Sequence, residues 1–97
     1  MVREGKRLRT THLDVRVSAS PLAHPRVGIT IPKYQHTAVA RNGVKRRLRE
    51  LVRLYLLPTL RRHIAVDVAV RAKPEAYRAT FDALREDVEL VIRRVAE

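Results

Sequence analysis

Ninety-seven residues, 45% of them apolar and 4% aromatic, can close one thin core of Val, Leu and Ala, so a single domain over 1–97 is expected. The chain has no cysteine, which excludes disulfide staples, thiolate zinc sites and thiol catalysis; it also lacks any signal-peptide core or long apolar window, which points to a cytoplasmic protein with no membrane partner. Twenty-one basic side chains against ten acidic ones leave a formal charge of +11, and such an excess suits a polyanionic partner, nucleic acid before membrane.

The first clear element is a strand near 12–19, where Leu13, Val15 and Val17 alternate with Asp14, Arg16 and Ser18. Two prolines in SPLAHP interrupt it, and a second strand near 26–32 follows, with Val27, Ile29 and Ile31 opposite Gly28 and Thr30. Residues 42–57 then carry Val44, Leu48, Leu51, Val52 and Tyr55 at helical spacing, with Asn42 as N-cap and Pro58 as stop. A third strand near 64–71 alternates Ile64, Val66, Val68 and Val70 with Ala65, Asp67 and Ala69. A long helix near 75–95 places Tyr77, Phe81, Leu84, Val88, Val91, Ile92 and Val95 on a core stripe behind Pro74 and Glu75, with Glu89 four residues before Arg93. The order strand, strand, helix, strand, helix predicts an α+β fold, a two-layer sandwich in which a small mixed sheet is covered by a basic helix and a long C-terminal helix. The uncovered face carries small or polar side chains and leaves room for a ligand.

The charge is concentrated. Residues 26–63 hold ten basic groups against Glu50 alone. Arg41, Asn42, Lys45, Arg46, Arg47, Arg49 and Arg53 cluster on one amphipathic helix, where like charges four residues apart oppose helix formation unless a polyanion relieves them. Arginine suits bidentate phosphate contacts. The competing readings are a solvated face, a membrane-surface helix and a DNA-recognition helix, the last disfavoured because a strand and loop, not a helix, come before it. Tyr34 either stacks on a base or packs at the sheet edge, and His36 is either an RNA contact or a solvated loop residue. His12, His24, His36 and His63 each stand alone in the sequence, and Glu50, Asp67 and Glu75 are too scattered for a metal pair, so no catalytic or metal-binding residue is assigned.

The run RVGITIPK followed by AVARNGVKRRLREL resembles the protein component of bacterial ribonuclease P. The matching positions are Val27, Gly28, Lys33, Ala38, Val39, Arg41, Asn42, Lys45, Arg46, Arg49 and Glu50. REGKRLR at 3–9 is similar to the lead-in to that family's first strand, and the third strand with Arg71, Pro74 and the long helix is similar to its C-terminal half. The resemblance implies the fold of the second domain of a small-subunit ribosomal protein, with a left-handed crossover through the basic helix. It implies an accessory subunit, non-catalytic by itself and monomeric when free, of a ribonucleoprotein endoribonuclease that removes the 5′ leader from precursor tRNA. The catalytic RNA subunit would be held by Arg41, Asn42, Lys45, Arg46, Arg47, Arg49 and Arg53. The leader would lie against Arg16, Ser18, Gly28, Thr30, Lys33 and Tyr34, since a shallow face of small side chains admits an unstacked strand. The protein alone would bind no cofactor; magnesium would serve the RNA-containing holoenzyme. Two departures are notable: Gly43 stands where the family usually has a second arginine, and the family's aromatic-bearing N-terminal helix, which forms part of the leader cleft, is expected to be largely absent. The alternatives are a ribosomal or general structured-RNA-binding protein and a DNA-binding module.

Overall fold

The computed structural model describes residues 6–21, 24–63 and 65–96. Four strands form one mixed sheet in the order β1-β2-β4-β3: β1 (Lys6–Arg9), β2 (Leu13–Ala19), β3 (Arg26–Thr30) and β4 (Val66–Ala72). β1–β2 and β2–β4 are antiparallel, whereas β3 and β4 are parallel and are joined by a helical crossover. Register puts Leu8, Val15, Val70 and Ile29 in one row across the sheet, and Val17, Val68 and Val27 in the next. These rows face the helices. Leu13, Val15 and Val17 are fully buried, whereas Val27 and Ile29 are only half-buried because β3 is an edge strand. Ile31 lies beyond the end of β3 yet remains in the core; Ile64 falls outside the described residues.

The basic helix departs from expectation at both ends. Helix α1 runs Ala38–Leu51, because the Thr37 hydroxyl, not Asn42, caps it by accepting from the Ala40 N–H at 3.1 Å. Nor does Pro58 end the helix. A π segment spans Val52–Leu56, the Leu57 N–H bonds back to the Val52 carbonyl, and helix α2 (Leu57–His63) continues through the proline. A proline ring meets the carbonyl four residues earlier in a regular α-helix, and a widened turn immediately before it relieves that clash. The expected C-terminal helix is also two pieces. Pro74–Arg78 is a 3-10 turn, Ala79 is extended, and α3 runs Phe81–Ala96. The break comes from Thr80, whose hydroxyl accepts from the Ala83 N–H at 3.1 Å and restarts the helix. Phe81 consequently leaves the core stripe and is 39% exposed, while Leu84, Val88, Val91 and Val95 remain buried. Tyr77 is half-buried, with its hydroxyl donating to the Pro32 carbonyl at 2.6 Å.

A buried carboxylate fastens the two layers together. Asp87 of α3 accepts from the Thr10 hydroxyl at 2.7 Å and from the His12 N–H at 2.9 Å, and the same oxygen lies 2.9 Å from His12 Nδ1. His12 therefore has a structural partner 75 residues away in the chain, which no local spacing discloses.

Candidate nucleic-acid interface

Two cationic surfaces lie on opposite sides of the sheet. The first is a flank of α1. Asn42, Arg46, Arg49 and Arg53 recur every three or four residues and are all exposed, with Lys45 and Arg47 half-buried beside them. Arg41 turns inward: its Nε donates to the Ile31 carbonyl at 2.7 Å, tying the start of α1 to the end of β3. Arg53 is hydrogen-bonded to Glu50 one turn back, which holds its guanidinium more firmly protonated than usual. Arg46 and Arg49 carry no ion pair among the described residues, so their charge is uncompensated. Gly43 does not need to be glycine: an added Cβ would lie 3.8 Å from the Arg47 guanidinium, an ordinary contact.

The second surface is the open face of the sheet. Register aligns Arg7, Arg16, Ala69 and Gly28 in one row and Arg9, Asp14, Arg71 and Thr30 in the next, with Ser18, Asp67 and Arg26 in a third. Arg7 grips Asp14 through two bonds of 3.1 and 2.7 Å, and Arg26 grips Asp67 through two of 2.8 and 2.6 Å. The Arg7 hydrogen bond holds the Asp14 carboxyl below its ordinary pKa, and the Arg26 hydrogen bond does the same for Asp67, with further help from Ser20. Both acids therefore stay ionised and neutralise Arg7 and Arg26 from the two inner strands. Arg9 on β1, Arg16 on β2 and Arg71 on β4 carry no ion pair among the described residues and leave a positive strip that Asp14 interrupts between Arg9 and Arg71. Ala69 and Gly28 keep the floor low; a Cβ on Gly28 would meet nothing within 4 Å. One hollow of about 400 Å³ is lined by Arg7, Arg16, Thr30 and Arg71, among others.

The expected face residues Arg16, Ser18, Gly28 and Thr30 are thus brought together. Lys33 and Tyr34 lie past the end of β3. Lys33 is exposed, whereas Tyr34 is half-buried in edge packing, its hydroxyl donating to the Ala72 carbonyl at 2.9 Å and its ring edge-on to Tyr77 at 6.3 Å and 87°. Arg9 and Arg71 are the additions. Arg71 follows the period-two alternation of β4 with Ala69, so its signal was present in the strand pattern, whereas Arg9 is placed on this face by the pairing of β1 with β2. Among the described residues no group of three or more His, Asp or Glu side chains could hold a metal ion, and no helix is long and apolar enough to cross a membrane.

The family model described as Ribonuclease P matches residues 1–96. The chain is 35% identical over 95 residues to the ribonuclease P protein component of Syntrophobacter fumaroxidans, covering 95% of this chain and 76% of that protein. It is 40% identical over 93 residues to the counterpart in Thermus thermophilus, covering 96% of this chain but only 52% of the relative, so it spans about half the length of that protein. Among solved structures, the RNase P protein from Thermotoga maritima superposes with a TM-score of 0.77 at 25% identity, covering 94% of this chain and 84% of that one.

Proposed function

Since the chain belongs to the ribonuclease P protein family, the protein subunits of a ribonucleoprotein endoribonuclease, we propose that it works by dividing two kinds of RNA between its two cationic surfaces. The α1 flank, with Arg46 and Arg49 uncompensated and Lys45, Arg47 and Arg53 beside them, holds phosphates of the catalytic RNA subunit. Asn42 contributes a polar contact on that flank, and Arg41 fixes its angle to the sheet. The open sheet face takes the single-stranded 5′ leader of precursor tRNA: Arg9, Arg16 and Arg71 receive its phosphates, Ser18 and Thr30 offer hydroxyls, and Gly28 and Ala69 allow the strand to approach. Lys33 extends the positive strip beyond the sheet. Tyr34 acts from its packed position at the end of the face, as a wall for the leader.

The observation that carries this reading is the paired and unpaired arginines of the sheet face. Five arginines, Arg7, Arg9, Arg16, Arg26 and Arg71, share that face with two carboxylates, Asp14 and Asp67, so Arg9, Arg16 and Arg71 leave it net positive. On this reading bond cleavage belongs to the RNA partner with its magnesium. The chain's own contribution is to bind, orient and raise the local concentration of leader-bearing substrate in the cytoplasm. A DNA-binding module is disfavoured by the strand and loop in front of α1, where a helix-turn-helix has a helix. The test is reconstitution with the cognate RNA subunit at low magnesium. Faster cleavage of precursor tRNA than by RNA alone is expected, with tighter binding of precursor than of mature tRNA; no stimulation rejects the role.

A further inference from the structure

The loop between β3 and α1 holds an aromatic residue, His36, that neither cationic surface uses. His36 lies flat on Tyr77, with ring centroids 4.0 Å apart and planes 6° from parallel. Tyr77 is held in turn by its hydroxyl bond to Pro32 and by the edge of Tyr34. The backbone of the loop makes a tight turn just before His36. Tyr34 and Gln35 are consecutive residues at φ 47° and 68°, and the His36 N–H closes the turn on the Lys33 carbonyl at 2.8 Å. Two non-glycine residues in the left-handed region are a strained way to make a loop, and they bring the chain round to where the His36 ring meets Tyr77. One face of that ring is covered by Tyr77. The residue is exposed, so its other face is turned outward.

Three residues on, Val39 is 80% exposed. It begins the same flank of α1 that continues through Asn42, Arg46 and Arg49, at spacings of three, four and three. An apolar side chain and a fixed aromatic face therefore sit at the head of a row of phosphate-binding cations. Stacked RNA helices expose no base faces, whereas a bulged or looped nucleotide does, and it seeks an aromatic plane.

We infer that His36 is a stacking platform for one unstacked nucleobase of the structured RNA subunit, with Val39 against the base edge and Asn42, Arg46 and Arg49 on the adjoining phosphates. The inference rests on the proposed division of RNA between the two surfaces and adds a contact that is independent of charge. Its partner is the RNA subunit, not the leader, because His36 and Val39 continue the α1 flank.

The test is equilibrium binding of the full chain to the cognate RNA subunit across a salt series. His36→Ala should weaken binding by about 5- to 160-fold, the range for loss of a base–aromatic stack, with the slope of log K against log salt unchanged because no counterion contact is lost. His36→Phe should restore affinity, whereas His36→Leu, which fills the space on Tyr77 without a π face, should not. Far-UV circular dichroism and Tm of each variant should match the wild type. Equal affinities for wild type and His36→Ala overturn the inference, as does rescue by Leu as good as by Phe. Loss of preference for precursor over mature tRNA with RNA-subunit affinity intact also overturns it, by assigning the base to the substrate. Failure of the wild-type chain to bind the RNA at all would instead reject the functional reading beneath it.

Discussion

Replacing Arg46 and Arg49 together with alanine tests the separation of the two surfaces most directly. Both guanidinium groups are exposed and without an ion pair among the described residues, so each is free to displace a counterion from RNA. Arg53, tied to Glu50, contributes less and is left in place. At roughly 0.7–0.9 of slope per neutralised phosphate, the double variant should flatten the dependence of log K on log salt by about 1.4–1.8. Between 50 and 200 mM salt the wild type should then lose about 7- to 12-fold more affinity for the RNA subunit than the variant does. The ratio of precursor to mature tRNA binding should hardly change. Arg16→Ala with Arg71→Ala should do the reverse, lowering that ratio and leaving the RNA-subunit slope nearly intact. Filter binding of each variant to labelled RNA subunit, and of each holoenzyme to the two tRNAs, reads both properties. If the two double variants alter both affinities in the same proportion, the cations act as one diffuse field and the two-surface scheme is wrong.

Asp67→Asn should release Arg26 from its two bonds and add a positive group to the sheet face, so precursor binding should tighten at low salt with a slope steeper by about 0.7; an unchanged slope would mean the leader does not reach β3. Leu48→Ala, at a fully buried position under α1, should cost about 2–5 kcal/mol, whereas Phe81→Ala should cost under about 1 kcal/mol because that ring is largely outside the core; chemical denaturation of both variants checks the contrast. The lowered pKa values of Asp14 and Asp67 give a definite sign to acid behaviour. Their contribution to stability is complete above the ordinary carboxylate value of about 3.9 and is lost as pH falls through the lowered folded-state values. Both pairs are solvent-exposed, so the effect is small, and a variant with both acids changed to Asn should show a flatter denaturation midpoint between about pH 5 and 2; a profile identical to the wild type would contradict the assignment.

Period-two alternation in Val66–Ala72 and Leu13–Ala19 made those strands legible to within two residues, since each buries one whole face. β1 was opaque to the same test: four residues, three of them cationic, offer only Leu8 to the core. Its face is fixed by pairing with β2, a tertiary fact. The helix start was ambiguous because Thr37 and Asn42 both satisfy the capping rule, and the bond from Arg41 to Ile31 belongs to the folded chain. The passage through Pro58 did leave a trace. Val44, Leu48, Val52, Leu56 and Leu60 are all buried and recur every four residues, a spacing that drifts about 40° per step around an α-helix of 3.6 residues per turn. A π turn midway through the row brings it back to the core. On the open face, the small and polar residues were readable, but which arginines are neutralised depends on cross-strand neighbours that only register supplies.

The sheet order has a consequence for how the protein comes into being. β4, the last strand in the chain, lies inside the sheet between β2 and β3, so a growing polypeptide that has reached residue 65 holds only one hairpin and a lone edge strand. The most highly charged helix is by then complete, with nothing beneath its apolar stripe. Pairings that join distant segments form slowly, on the scale of about milliseconds to seconds, and an intermediate with bare Leu and Val next to a dense row of arginines is prone to capture by whatever polyanion is near. Refolding should therefore be rate-limited by insertion of β4. RNA added before that step meets the cationic segment of a domain that has not yet closed.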